Sequence, residues 1–359
     1  MTAPSRTWLL LPGGLCLAAG LVGAVLLTGV TPPSAAAHLP DRHGIIMTLG
    51  FLGTVIALER SVALRQPWAH AAPGLLGAGG IVLVADGPRA AGAVLLAAGL
   101  TALLAVYARL YDRQRDAGTA VEALGSAAAL VAVVLWLRVD VPAVLPWLVS
   151  FVVLTIAAER VELARLQLPS SAGGVLLLVG VSLLGACTLA LLRPEPGVRV
   201  VGAVLLALAA WLARHDVARR TLKVPGRPRF AAVAMLLGYA WLVVGSLVWL
   251  LGGPPASIPA YDSVVHSVFL GFAMSMVLAH ATIILPAVIR RPVPHGRRMW
   301  VPLVVLHAGL LVRVGLGDGL GLDTPWEVGA HLTVAALVLL PLTVVSSLVT
   351  PTAPTGRLA

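Results

Sequence analysis

Charge is what this chain has least of: 11% of its 359 residues are Asp, Glu, Lys or Arg, against 59% hydrophobic, with mean hydropathy +0.96. A soluble protein of this length needs a far more polar surface. Cysteine is nearly absent too. Cys16 and Cys187 stand alone in apolar stretches, which excludes a disulfide framework and a CxxC metal or redox motif. HExxH and His-x-His are missing, so a closed zinc site has no support. Long polar segments are also lacking, and with them any separate soluble domain that would carry chemistry.

What is present is a succession of apolar stretches, over roughly residues 8–30, 43–64, 72–86, 88–109, 119–137, 142–164, 172–192, 197–213, 230–252, 262–289, 299–316 and 328–349. They predict an all-α polytopic membrane protein of twelve transmembrane helices, forming a single transmembrane domain over 1–359. The first stretch reads as a retained helix rather than a signal peptide, because many more spans follow it. The third is short and Gly-rich, and the even total rests on a tight turn at Asp86, Gly87 and Pro88.

The net charge of +10 is unevenly placed. With the N-terminus inside, 19 of the 25 Lys and Arg residues fall on one side of the expected topology. The positive-inside rule then places both termini in the cytoplasm of a bacterial-type inner membrane. The basic runs at 214–229 and 290–298 face the anionic leaflet of the lipid bilayer, and no nucleic-acid role is expected.

The chain also resembles itself. IALERSVALRQP at 56–67 matches IAAERVELARLQLP at 156–169, an offset of four helices. LGFLGTVIALER at 49–60 matches LGFAMSMVLAHA at 270–281, which sets His280 where Glu59 and Glu159 stand. Helices 2, 6 and 10 are thus expected to be copies of one element, in a pseudo-threefold four-helix repeat with units of roughly 1–110, 119–213 and 230–350. The pairs Glu59-Arg60 and Glu159-Arg160 have two readings. They anchor their helix ends as structural ion pairs, or they converge with His280 on a proton path.

Histidines at membrane depth need partners, and five of the nine lie there. His43, His266 and His331 form a layer near the expected outer face; His280 and His307 form a deeper one. His266 and His280 are fourteen residues apart, nearly four turns, which on a regular helix sets both on one face about 21 Å apart. His38, His70, His215 and His295 are expected to be solvated. Two histidines from separate helices at one depth are what a b-type haem needs. On a regular helix the face of His43 continues through Gly50, Gly53 and Ala57, which would leave room for a macrocycle or for close helix packing. Arg313 is at the depth of a haem propionate, or would pair with Asp318 or Asp323 as an anchor.

The stretches HGIIMTLGFLGTVIALER at 43–60, HSVFLGFAMSMVLAHATIILPAV at 266–288 and LHAGLLVRVGLGDGLG at 306–321 resemble the NnrS family of haem- and copper-containing membrane proteins. In architecture the chain resembles haem–copper oxidase subunit I and nitric oxide reductase. The resemblance implies haem b held by histidines of helices 2 and 10, here His43 and His266 with His331 and Arg313 nearby, and a role with nitric oxide or in electron transfer. If the chain is an enzyme, it is a haem-dependent oxidoreductase acting on nitric oxide. In the oxidases, helices 6 and 7 carry copper-binding histidines; here they have none. Copper or a second haem would therefore depend on His280 and His307. Two other readings are a proton-coupled secondary transporter using the intramembrane His, Glu and Arg residues, and an accessory protein of a respiratory oxidase. The sequence names no redox partner.

Overall fold

The computed structural model describes residues 8–31, 33–164, 167–281 and 297–349, and among these it contains helices and no strand. The helices are α1 (Leu10–Leu26), α2 (Ser34–Leu64), α3 (Pro67–Val84), α4 (Arg89–Gln114), α5 (Ala117–Trp136) and α6 (Val141–Ala164), then α7 (Ala172–Leu192), α8 (Pro194–His215), α9 (Arg227–Gly252), α10 (Ile258–Ala281), α11 (Arg297–Asp318) and α12 (Asp323–Val349). Eleven of them are long and apolar enough to cross a bilayer, and α1 is a shorter apolar helix. The chain is an all-α polytopic membrane protein. The expected continuation of α10 to residue 289, with Pro286, the residues Arg165 and His295, and the start of the basic run at 290–298 lie outside the described residues.

Local chemistry sets several boundaries. Asp116 accepts from the Thr119 amide to start α5, and Ser257 accepts from the Ala260 amide to start α10. The expected turn between α3 and α4 is present: Asp86 takes φ +56° and the Gly87 amide returns to the Val82 carbonyl. Arg89, at the start of α4, bonds the Trp136 and Val139 carbonyls and so ties that turn to the end of α5.

Consecutive helices pack side by side, and α12 returns against α1 to close the bundle. Inside this ring lie α2, α6 and α10, the second helix of each expected repeat unit. Their apolar windows are 72%, 83% and 72% buried, against 28% for α12 and 33% for α7. A helix that is hydrophobic all round belongs in a core, and these three form it.

Two of the three inner helices are irregular in the same place. The α2 backbone passes into π-helix over Ile46–Gly53 and that of α10 over Ser267–Met274. These segments are related by the same 221-residue offset that relates Leu49 to Leu270. At the corresponding level α6 stays α-helical and carries Pro146. A third π segment, Leu311–Asp318, lies in α11.

Candidate functional site

All three π segments among the described residues border one cavity. It lies between α1, α2, α6, α10, α11 and α12, and its walls are mainly apolar, with Met47, Phe51, Leu145, Phe269, Leu270 and Met274. Apolar concavities with a few convergent polar groups are where small molecules and cofactors bind. His43, His266 and Arg313 also line it, so three of the four residues expected at a cofactor are brought together. Arg313 sits in a π segment, His266 directly before one and His43 three residues before one, and this distortion recurs at functional sites.

The two imidazoles are held alike. His43 Nδ1 lies 2.8 Å from the Gly20 carbonyl of α1, and His266 Nδ1 lies 3.0 Å from the Asp262 carbonyl one turn earlier in α10. A carbonyl only accepts, so in each ring Nδ1 carries the hydrogen and Nε2 keeps its lone pair. Neither Nε2 has a protein partner among the described residues. The two rings are close enough to interact electrostatically, as are His43 and Arg313.

Asp262 orders the polar wall. It accepts from Arg313 Nε and Nη2 at 2.8 and 2.7 Å, and from Trp326 Nε1 at 3.2 Å, while His266 Nδ1 is 3.1 Å from its Oδ1. Arg313 also stacks on the Trp326 ring, 4.8 Å from its centre. The expected anchor pairing of Arg313 with Asp318 or Asp323 is thereby corrected: the partner is Asp262, and Asp318 accepts from Ser263 instead. Nη1 of Arg313 is left unbonded among the described residues.

Four other expectations change. His331 is exposed and bonded to the Glu327 carbonyl, whereas Thr333, Val334 and Leu337 of α12 face the cavity. Gly50 and Gly53 do not line it. A Cβ on Gly80 would lie 2.8 Å from the Gly50 Cα, so the glycines let α2 and α3 cross closely, with Cys16 of α1 against them. The π segment beginning at Ile46 is the reason: i to i+5 bonding shifts the register, so a face projected from His43 along a regular helix is wrong beyond that point. The same break separates His266, at the cavity, from His280. His70, expected in solvent, is buried.

The deeper layer is committed elsewhere. His280 donates from Nδ1 to the Met276 carbonyl at 2.7 Å, and its Nε2 accepts from Arg160 at 2.9 Å. His307 Nδ1 accepts from Trp241 Nε1 at 2.9 Å, so its Nε2 carries the hydrogen and reaches Ser275 Oγ at 3.2 Å, which in turn donates to the Gly271 carbonyl. Both nitrogens of both rings are in use. The indole of Trp241 reaches His307 from α9 because Gly271 is bare: a Cβ there would lie 2.4 Å from it.

The two arginines connect helices, and Arg60 also pairs with its own Glu59. Arg60 lies 3.1 Å from Glu122 of α5, 3.4 Å from Glu162 of α6 and 3.6 Å from Glu59. Arg160 grips Asp216 with two bonds, at 3.0 and 2.9 Å, and Tyr239 of α9 donates to the same carboxylate. Arg60 thus reaches to an acid near the start of α5, and Arg160 to one just after the end of α8. Glu59 is near enough to both Glu159 and His280 to interact with each. Glu122, Asp216 and the π segments were not foreseen; of these only Glu122, a lone acid in an apolar span, carried a readable signal.

A domain of unknown function, DUF8744, matches residues 6–349. This chain belongs to the DUF8744 family. No curated protein and no solved structure matches it. Among the described residues of this DUF8744 member, no group of three or more His, Cys, Asp or Glu side chains is arranged to hold a metal ion, so the candidate site rests on an imidazole pair.

Proposed function

We propose that this chain is an NnrS-like, haem-binding protein of a bacterial-type inner membrane, with both termini cytoplasmic, which takes part in nitric oxide metabolism or in electron transfer. One observation carries the reading. Of the five buried or half-buried histidines on α2, α10 and α11, only His43 and His266 keep Nε2 free, His38 having its Nε2 on the Val84 carbonyl, and both line the same cavity. Metal-binding histidines characteristically donate their other N–H to a carbonyl or carboxylate, which fixes the tautomer and raises ligand basicity. Both rings meet that condition.

The residues present fit haem b. His43 and His266 would be its axial ligands, Arg313 would meet its propionates, and the Met, Phe and Leu walls would exclude water from the ring. A haem held this way supplies a one-electron couple. Copper or a second haem at His280 and His307 would have to displace a hydrogen bond from each ring, so the proposal is limited to a single site. Those bonds also favour haem binding over proton-coupled transport, which needs these rings free to exchange protons.

The absorption spectrum tests this. Protein purified from haem-replete cells is expected to show a Soret band and reduced α and β bands, lost in His43→Ala and in His266→Ala but kept in His280→Ala. A colourless wild type overturns the proposal, and so does a spectrum unchanged in both cavity variants.

A further inference from the structure

At the opposite end of the bundle from the histidine cavity, the structure forms two pockets in equivalent positions of two repeat units. The first lies where α2 passes into α3 and is lined by Gln66, Trp68, Arg109, Asp112 and Arg113. The second lies where α6 leads into α7 and is lined by Gln167, Arg214, His215, Asp216, Arg219 and Arg220. Gln66 and Gln167 occupy matching places after their ER-containing helices; the first pocket draws its cations from the end of α4, the second from the end of α8 and the segment that follows it.

Their charge balance differs. In the first pocket Asp112 faces two arginines, and Arg113 is already bonded to the Leu64 carbonyl. In the second the only carboxylate is Asp216, and it is consumed from within. Arg160 holds it with two bonds, Tyr239 donates at 2.5 Å, and the Ala218 amide donates at 2.8 Å. Burial alone would raise the Asp216 carboxyl, but these bonds hold it below the usual carboxylate value, so it stays ionised and neutralised by Arg160. Arg214, Arg219 and Arg220 are left exposed with no protein acceptor among the described residues. His215 Nδ1 is turned to the Trp211 carbonyl, and Gln167 adds an amide. Three guanidinium groups around a concavity at a membrane boundary match the forked geometry of phosphate oxygens.

We propose that this second pocket is a binding site for a phosphate-bearing anion, and that the Arg160–Asp216 pair creates it by removing the one competing negative charge. The same chemistry comes from two sources, the headgroup of an anionic phospholipid or a free phosphate. The site is independent of the haem reading.

Binding to the full chain in nanodiscs tests it and separates the sources. Discs of phosphatidylcholine doped with phosphatidic acid, read by native mass spectrometry for retained lipid, form one arm. Inorganic phosphate titrated against protein in pure phosphatidylcholine discs forms the other. The Arg219→Gln/Arg220→Gln variant is expected to weaken the arm that binds by roughly 20- to 30-fold, at about one kcal/mol per cation. Arg109→Gln/Arg113→Gln, in the first pocket, is expected to leave it within about twofold. Both pairs are at the surface, and Arg219→Lys/Arg220→Lys, which keeps the charge, is expected to recover part of the loss. No binding in either arm, or equal losses from the two pockets, overturns the proposal.

Discussion

Asp262 shows how much of the cavity wall depends on one side chain. It bonds Arg313 twice and Trp326 once while lying against His266, and it is 7% exposed. Removing it leaves a guanidinium uncompensated in an apolar bundle, a loss of about 3–5 kcal/mol. Asp262→Ala is therefore expected to lower the thermal unfolding midpoint sharply, and Asp262→Ala/Arg313→Met to recover most of that loss, as measured by scanning fluorimetry. Asp216 allows a titration. Its folded value lies below the unfolded carboxylate value, so its contribution is fully present above the unfolded pKa and disappears as pH falls through the folded one. Stability of the wild type relative to Asp216→Asn is thus expected to be constant near neutrality and to shrink below pH ~4. A difference that grows on acidification contradicts that sign.

Among the elements, the π segments decide which side chains meet. Deleting Thr48 is expected to convert Ile46–Gly53 toward regular helix and to rotate His43 relative to the rest of α2. The outcome to look for is a folded, monodisperse protein without the haem spectrum. Where α2 crosses α3 the requirement is for absence of bulk. Gly80→Ala sets a methyl against the Gly50 backbone and is expected to cost about 1–3 kcal/mol by unfolding midpoint. The sequence made the helices legible because apolar length alone defines a span, and it made His43, His266 and Arg313 legible because polar groups in such spans are few. It did not reveal what depends on helix register. The faces assigned to Gly50, Gly53 and His331, the shared stripe of His266 and His280, and the partner of Arg313 all assumed 3.6 residues per turn or nearness in sequence. One extra residue in a helical turn leaves no compositional trace, so these were beyond a reading by periodicity.

At the scale of the whole molecule, the bundle separates an end with one apolar, histidine-lined cavity from an end laced by ion pairs. Arg60 joins α2 to α5 through Glu122, and Arg160 joins α6 to the segment after α8 through Asp216. Arg60→Met is expected to destabilise more than removal of either Glu59 or Glu162, because it strands the fully buried Glu122 carboxylate, and chemical denaturation in mild detergent measures the ranking. The cavity end is fastened differently. Its two imidazoles are oriented by the carbonyls of Gly20 and Asp262, which belong to the main chain. No replacement of one side chain by another deletes a main-chain oxygen. A systematic alanine scan would therefore record two histidines and an Asp–Arg pair, and at Gly20 it would record the clash of a new methyl with Met47 rather than the loss of the acceptor that aims His43. Only backbone chemistry, such as an amide-to-ester exchange at the Gly20–Leu21 linkage, would weaken that acceptor and bring α1 into the genetic picture of the site.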